Sequence, residues 1–196
     1  MENKFLCPPK SYVNRDQREA MNGHKSFAVW LTGLSGSGKS TIAHLLEQRL
    51  HEEGIRSYVL DGDNVRRGLC SDLSFTPVAR RENMRRIGEL VRLYVDAGIL
   101  CICAFISPLR EDRAMVREII GAEDYTEVFV SCPVELCEQR DVKGYYRLAR
   151  EGKIKNYTGV SALYEPPLQP CLHIPTEQLD VCQSVELLYT HLHPQL

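Results

Sequence analysis

Phe27-Ala28-Val29-Trp30-Leu31-Thr32-Gly33-Leu34-Ser35-Gly36-Ser37-Gly38-Lys39-Ser40-Thr41 changes character twice in fifteen residues, and that double change decides the fold. The first five residues form an unbroken apolar run, sized for a buried strand that ends at Thr32 and Gly33. Beyond the glycines, Ile42, Leu45, Leu46 and Leu50 recur at helical spacing, and Gly54 supplies a stop signal. Gly33 to Ser40 fits GxxxxGK[ST] in the strand-to-helix context that this motif requires. Its glycines let successive N–H groups turn inward toward phosphate oxygens, and the helix that follows adds the positive end of its dipole. Gly33, Ser35, Gly36, Ser37, Gly38, Lys39 and Ser40 therefore form the expected ATP phosphate cradle, with Lys39 as a point charge on the β- and γ-phosphates. Ser40 is the expected Mg²⁺ ligand.

Outward from this stretch the unit repeats. Ser57 to Leu60 reads as a second strand and Arg80 to Ala97 as a helix with Ile87, Leu90, Val91, Tyr94 and Val95 inward, stopped by Gly98. Ile99 to Ile106 is continuously apolar, as a central strand covered on both faces is, and Glu127 to Val130 and Cys171 to Ile174 read as further strands. A last helix runs through Val181, Val185, Leu188 and Leu192. Strands alternating with helices predict an α/β P-loop fold: a mainly parallel twisted sheet with helices on both faces. Residues 141–165 lack sustained periodicity and read as a mobile lid, and residues 1–24 as a polar, turn-rich extension ahead of a single domain at 25–196.

The balance of 24 basic and 26 acidic residues gives a formal charge of −2, so no global field favours nucleic acid or an anionic membrane. The longest apolar runs are strand-sized, and the first residues lack a secretory apolar core, so a cytoplasmic address is the expectation. The eight cysteines show no CxxC or Cys/His ligand spacing and read as free thiols. His191 and His193 carry at most an adventitious metal site.

Leu60-Asp61-Gly62-Asp63-Asn64-Val65-Arg66 follows the second strand, so its carboxylates emerge at the sheet edge that also holds the glycine-rich loop. A hydroxyl acceptor needs a carboxylate to take or orient its proton, and the metal needs another nearby, tasks that Asp61 and Asp63 could divide. From Asp61 to Arg92 there are seven arginines against five carboxylates. Some should meet an anionic substrate, while Arg67, Arg81 and Arg85 read equally well as a solvated face.

TGLSGSGKST, LDGDNVRRGL, RRENMRRIGEL, CAFISPLREDR, EVFVSCPVELCEQRDVKG and YEPP, in this order and spacing, resemble the adenosine 5′-phosphosulfate (APS) kinase family over nearly the whole chain. The resemblance implies transfer of the ATP γ-phosphate to the APS ribose 3′-hydroxyl, with Lys39, Asp61, Asp63 and Ser107 as candidate catalytic residues. It implies Asp61 beside Ser40 at the metal, and APS contacts from Asp63, Arg66, Phe75, Arg80, Asn83, Ile106 and Ser107. Lys143, Asn156 and Tyr157 would join them from the lid, Gly36 to Thr41 and Arg140 would contact ATP, and the assembly would be a homodimer. The family proposal of a phosphorylated serine maps to Ser107, which before Pro108 is equally placed as a helix N-cap. KNYTG stands where the family commonly has KGFTG, which leaves open a different nucleotide acceptor. A non-catalytic nucleotide-binding subunit is the other alternative.

Overall fold

The computed structural model describes residues 11–196. Five strands, β1 (Ala28–Thr32), β2 (Ser57–Asp61), β3 (Leu100–Ala104), β4 (Tyr125–Ser131) and β5 (Leu172–Pro175), form one sheet in the order β2-β3-β1-β4-β5. All four pairings are parallel. The strand β1 thus lies at the centre, with Ala28 opposite Cys101 on one side and Tyr125 on the other. Every strand ends toward the same edge, and the loops leaving that edge carry the chemistry.

Alternation along β1 divides the core in two. Val29 and Leu31 face helices α2 (Lys39–Glu52) and α8 (Val181–Leu192), meeting Ile42, Leu46, Leu50, Val185, Leu188 and Leu192. Ala28 and Trp30 face α4 (Pro77–Asp96) and α5 (Arg110–Ile120), meeting Ile87, Val91, Val116 and Ile120. Trp30 is fully buried, stacked on Phe105 with ring centroids 5.1 Å apart. Burial of a side chain of this size contributes several kcal/mol at about 25 cal/mol per Å² of apolar area removed from water. Leu45, expected to share the inward stripe of α2, is instead partly exposed.

Two helix starts differ from the sequence expectation. α4 begins at Pro77, three residues before Arg80, because Thr76 caps it by accepting from the Ala79 N–H at 3.3 Å and proline suits the first helical position. The stretch read as a turn-rich extension contains α1 (Arg15–Asn22), started by a capping box in which Asn14 and Gln17 satisfy each other's backbone N–H groups. α1 docks at the N-terminal edge of the sheet, opposite the loops described below. Arg15 forks onto both carboxylate oxygens of Asp124, at 2.6 and 2.7 Å, and buried Glu19 accepts from the Ser26 N–H and hydroxyl at 2.9 and 2.7 Å. Among the described cysteines, five are buried and Cys171 and Cys182 are exposed, all as free thiols. No helix among the described residues is long and apolar enough to cross a membrane.

Candidate active site

The glycine-rich loop leaves β1 and enters α2 at Lys39. Gly33 passes so close to β4 that a Cβ there would lie 2.2 Å from the Val130 carbonyl oxygen. Gly36, at φ +79, lies against α6 (Val134–Arg140), where a Cβ would stand 3.0 Å from the Cys137 carbonyl oxygen. Neither position has room for a side chain, so the motif's glycines answer to packing as well as to phosphate approach. The loop is braced from outside by residues that its own sequence does not announce. The hydroxyl of Tyr146, in α7 (Tyr145–Arg150), donates to the Ser35 carbonyl at 2.9 Å. Thr176, just past β5, donates to the Ser37 carbonyl at 3.0 Å, and Arg140 spans the Gly36 and Thr176 carbonyls at 3.2 and 2.9 Å.

Lys39 is buried inside this loop, its ammonium donating to the carbonyls of Gly33 and Leu34 at 2.9 and 2.6 Å. Burial lowers its pKa to about 8, against the pull of nearby groups that include Asp61. Ser40, one residue on, is exposed, and its hydroxyl donates to Asp61 Oδ2 at 2.6 Å. Asp61 closes β2, and its other oxygen caps α3 (Gly62–Arg67) by accepting from the Asp63 N–H at 2.9 Å. Asp63 is ion-paired with Lys143 of the lid. Burial opposes the charge on Lys143, but Asp63 and, behind it, Asp61 hold its proton more tightly than usual. Donor loop, first carboxylate, second carboxylate and lid lysine are thus linked in one chain of contacts.

The arginines of α3 and α4 divide into two sets. Arg81 pairs with Asp112 and Glu111, Arg85 with Glu82, and Arg86 with Asp72 and Glu82, while Arg67 is exposed. Arg66 and Arg80 have no acidic partner among the described residues and donate to uncharged oxygens. Arg66 reaches the Leu73 and Ser74 carbonyls, at 3.2 and 2.8 Å, and stands over the exposed Phe75 ring, 4.6 Å from its centroid. Arg80 reaches the Phe75 carbonyl at 3.0 Å, the Thr158 hydroxyl at 3.0 Å and the Asn156 carbonyl at 2.6 Å, so it also ties the lid to α4. Burial lowers the proton affinity of both guanidiniums, although a guanidinium stays charged at any ordinary pH. One turn further along α4, Asn83 is buried with its carboxamide oxygen unpartnered, a group that costs about 1–3 kcal/mol until something donates to it.

The lid residues are less free than their sequence suggests. Tyr157 is half-buried, edge-on to Tyr146 with centroids 5.1 Å apart, and Asn156 holds φ +55. Ile106 is half-buried after β3 and accepts at its carbonyl from Thr32 at 2.8 Å. Ser107 corrects the N-cap expectation. α5 starts two residues later, after Leu109, and the buried Ser107 hydroxyl accepts from the Trp30 indole N–H at 3.1 Å. Ser107 holds φ +38, not the extended backbone of an N-cap, and α5 has no side-chain cap.

A metal at this mouth would find oxygen donors. Among the described residues no three His, Cys, Asp or Glu side chains gather into a closed metal cage. The Ser40 hydroxyl and Asp61 carboxylate form an open, hard pair, which fits Mg²⁺ because that ion keeps several of its own waters.

The model of the adenylylsulphate kinase family matches residues 25–175. Among curated relatives, an adenylyl-sulfate kinase of Thermodesulfovibrio yellowstonii is 55% identical over 186 residues, covering 93% of each chain. One from Citrobacter koseri is 54% identical over 179 residues, covering 90% of this chain and 89% of its own. Among solved structures, the Mycobacterium tuberculosis APS kinase in complex with AMPPNP and APS is 42% identical with a TM-score of 0.83, covering 87% of this chain and 99% of that one. With the family model spanning most of the chain and relatives above half identity over about nine-tenths of it, this chain belongs to the adenylylsulphate kinase family.

Proposed function

We propose that the protein transfers the γ-phosphate of Mg·ATP to the 3′-hydroxyl of APS, releasing ADP and 3′-phosphoadenosine 5′-phosphosulfate. The observation that carries the acceptor assignment is the pair of arginines without acidic partners, Arg66 and Arg80, on the rim that also holds Asp61 and Asp63. A phosphosulfate is a compact anion with oxygens for two guanidiniums, and the exposed Phe75 ring beside Arg66 offers a face to a nucleobase.

In this reading the loop N–H groups from Gly36 to Thr41 hold the ATP phosphates, and Lys39 exchanges the Gly33 and Leu34 carbonyls for phosphate oxygens. Ser40 and Asp61 hold Mg²⁺. When bound, the ion offsets negative charge on the β- and γ-phosphates. Asp63 takes or orients the proton of the attacking 3′-hydroxyl, and its partner Lys143 is placed to balance charge on the transferred group. Arg140, beside Thr176, borders the ATP side. Asn83, Ile106, Ser107, Asn156 and Tyr157 border the acceptor, with the unpartnered Asn83 oxygen free to accept a donor from it. Closure of residues 141–165 over both nucleotides would keep water from the γ-phosphate. The family resemblance also supports a homodimer, which light scattering would read as a mass near twice the 22.3 kDa of the chain.

The test is ADP release from Mg·ATP with no acceptor, with APS, with adenosine 5′-monophosphate and with other nucleotides. APS-dependent release abolished by Lys39→Ala is the expected result. Activity with another nucleotide and none with APS would defeat the acceptor assignment, and tight ATP binding with silence toward every acceptor would defeat the enzyme reading.

A further inference from the structure

Arg113 lies on α5, outside the glycine-rich loop and both carboxylates, yet it is only 3% exposed and each of its nitrogens is committed. Its Nε donates to Glu127 Oε1 of β4 at 2.8 Å, Nη1 to the Ser107 carbonyl at 2.6 Å and Nη2 to the Glu165 carbonyl at 2.8 Å. One planar fork therefore joins the sheet, the turn after β3 and the segment where the lid returns to the core. Further bonds fasten the turn and the lid root to each other and to β1. The Glu165 N–H donates to the Pro108 carbonyl at 2.8 Å, the Arg110 N–H to Glu165 Oε2 at 2.8 Å, and the Thr32 and Tyr164 hydroxyls meet at 3.0 Å. Ser107, at the centre, holds φ +38, a left-handed conformation that costs a residue other than glycine of order 1–3 kcal/mol and persists only where its surroundings impose it.

We propose that Arg113 is a positioning residue for phosphoryl transfer: it holds Ser107 in its strained turn and pins Glu165, so that the acceptor-facing turn and the C-terminal root of the lid form one fixed unit. The proposal rests on the reading above that Ile106 and Ser107 border the acceptor. Lysine, a point charge without the fork, can neutralise Glu127 but cannot span three acceptors in one plane. With the root pinned, lid motion is confined to the segment between Asp141 and Tyr164.

Arg113→Lys is the variant that tests this, because it keeps a cation beside Glu127 and spares the fold. It should lower kcat/KM for APS about 10- to 100-fold, the scale of a misplaced reactant, while KM for ATP stays within about twofold and Tm close to wild type. Glycine adopts positive φ without strain, so in a Ser107→Gly background the same substitution should cost less than about threefold. An equal penalty in both backgrounds, or KM values for ATP and APS rising together, overturns the proposal. If the wild type releases no ADP with APS, the reaction reading fails instead, and amide exchange decides the positioning claim. Arg113→Lys should then speed exchange around Ser107 and Glu165 at least about tenfold relative to α2, and unchanged protection there overturns it.

Discussion

The Ser40 hydroxyl lies 2.6 Å from Asp61 Oδ2, and this contact joins the first turn of α2 to the end of β2. The same carboxylate caps the Asp63 N–H with its second oxygen, so one side chain fixes both the donor side and the acceptor side. Asp61→Asn keeps its one oxygen for the Asp63 N–H cap, turns the Ser40 contact into an N–H donated to the hydroxyl, and removes the charge that a cation needs. The expected outcome is near-wild-type Tm, a Mg²⁺ requirement raised at least about tenfold, and kcat lowered about 10²- to 10³-fold at saturating metal. Titration of initial rate against Mg²⁺ at fixed ATP checks it, and an unchanged half-saturation point would remove Asp61 from the metal site.

In the proposed reaction Lys39 meets ATP as a cation, yet burial holds its pKa near 8 before the nucleotide arrives. Above that pH the free enzyme loses the charge, so ATP affinity should fall as pH rises through about 8, with net proton uptake on binding there. Calorimetry in buffers of different ionisation enthalpy measures that uptake directly. The linkage for stability has the opposite sense. Below pH 8 both folded and unfolded chains carry the proton, and the folded state bears the whole cost of the buried ammonium, which is relieved between about 8 and 10.5. Lys39→Met should therefore abolish turnover without lowering Tm at pH 7, since up to about 3 kcal/mol of relief offsets the lost bonds to Gly33 and Leu34.

Arg80 ties the lid at Asn156 and Thr158 to α4 at Phe75. Arg80→Ala should raise KM for APS at least about tenfold, as loss of a charge-assisted contact does, and leave KM for ATP within about twofold. The same variant should expose Lys153 and Lys155 to trypsin several-fold faster in the absence of substrate. Faster cleavage with unchanged KM for APS would assign Arg80 to the lid alone.

Glu19 of α1 is pushed up by burial, but hydrogen bonds from the Ser26 hydroxyl, Lys25, the Ser26 N–H and Arg15 overcome that cost and hold its pKa at about 2. A depressed carboxylate contributes stability above its unfolded pKa of about 4.5 and loses it as pH falls toward 2. Glu19→Gln should cost about 2 kcal/mol at pH 7, and the gap to wild type should close between about 4.5 and 2. Urea denaturation at pH 7 and pH 3 checks this. A gap that persists undiminished at low pH would mean that packing, not charge, holds α1.

The central strands, the loop and the two carboxylates were legible in the sequence because each depends on a local pattern: an apolar run, a glycine spacing, a carboxylate after a strand. Asn14 and Gln17 also form a local signal, but α1 is so polar that no apolar stripe points to a helix there. Arg113 left no signal at all. It sits among charged residues at helical spacing, and only the folded chain shows that Glu127, Ser107 and Glu165, drawn from three separate segments, close around it. The separation of Arg66 and Arg80 from Arg81, Arg85 and Arg86 likewise depends on which carboxylates the helices bring within reach. Ser107 misled because serine before proline is a common helix start, and nothing local states that the start will fall after Leu109.

Beside α1, at the pole of the sheet away from the nucleotide mouth, the Lys25 N–H donates to the carbonyl of Leu196 at 3.3 Å. Leu196 therefore sits next to the start of the sheet. A tether to a solid support made at Leu196 would leave the nucleotide mouth facing outward. The docking of α1 and Leu196 at one pole makes this enzyme a candidate for oriented immobilisation.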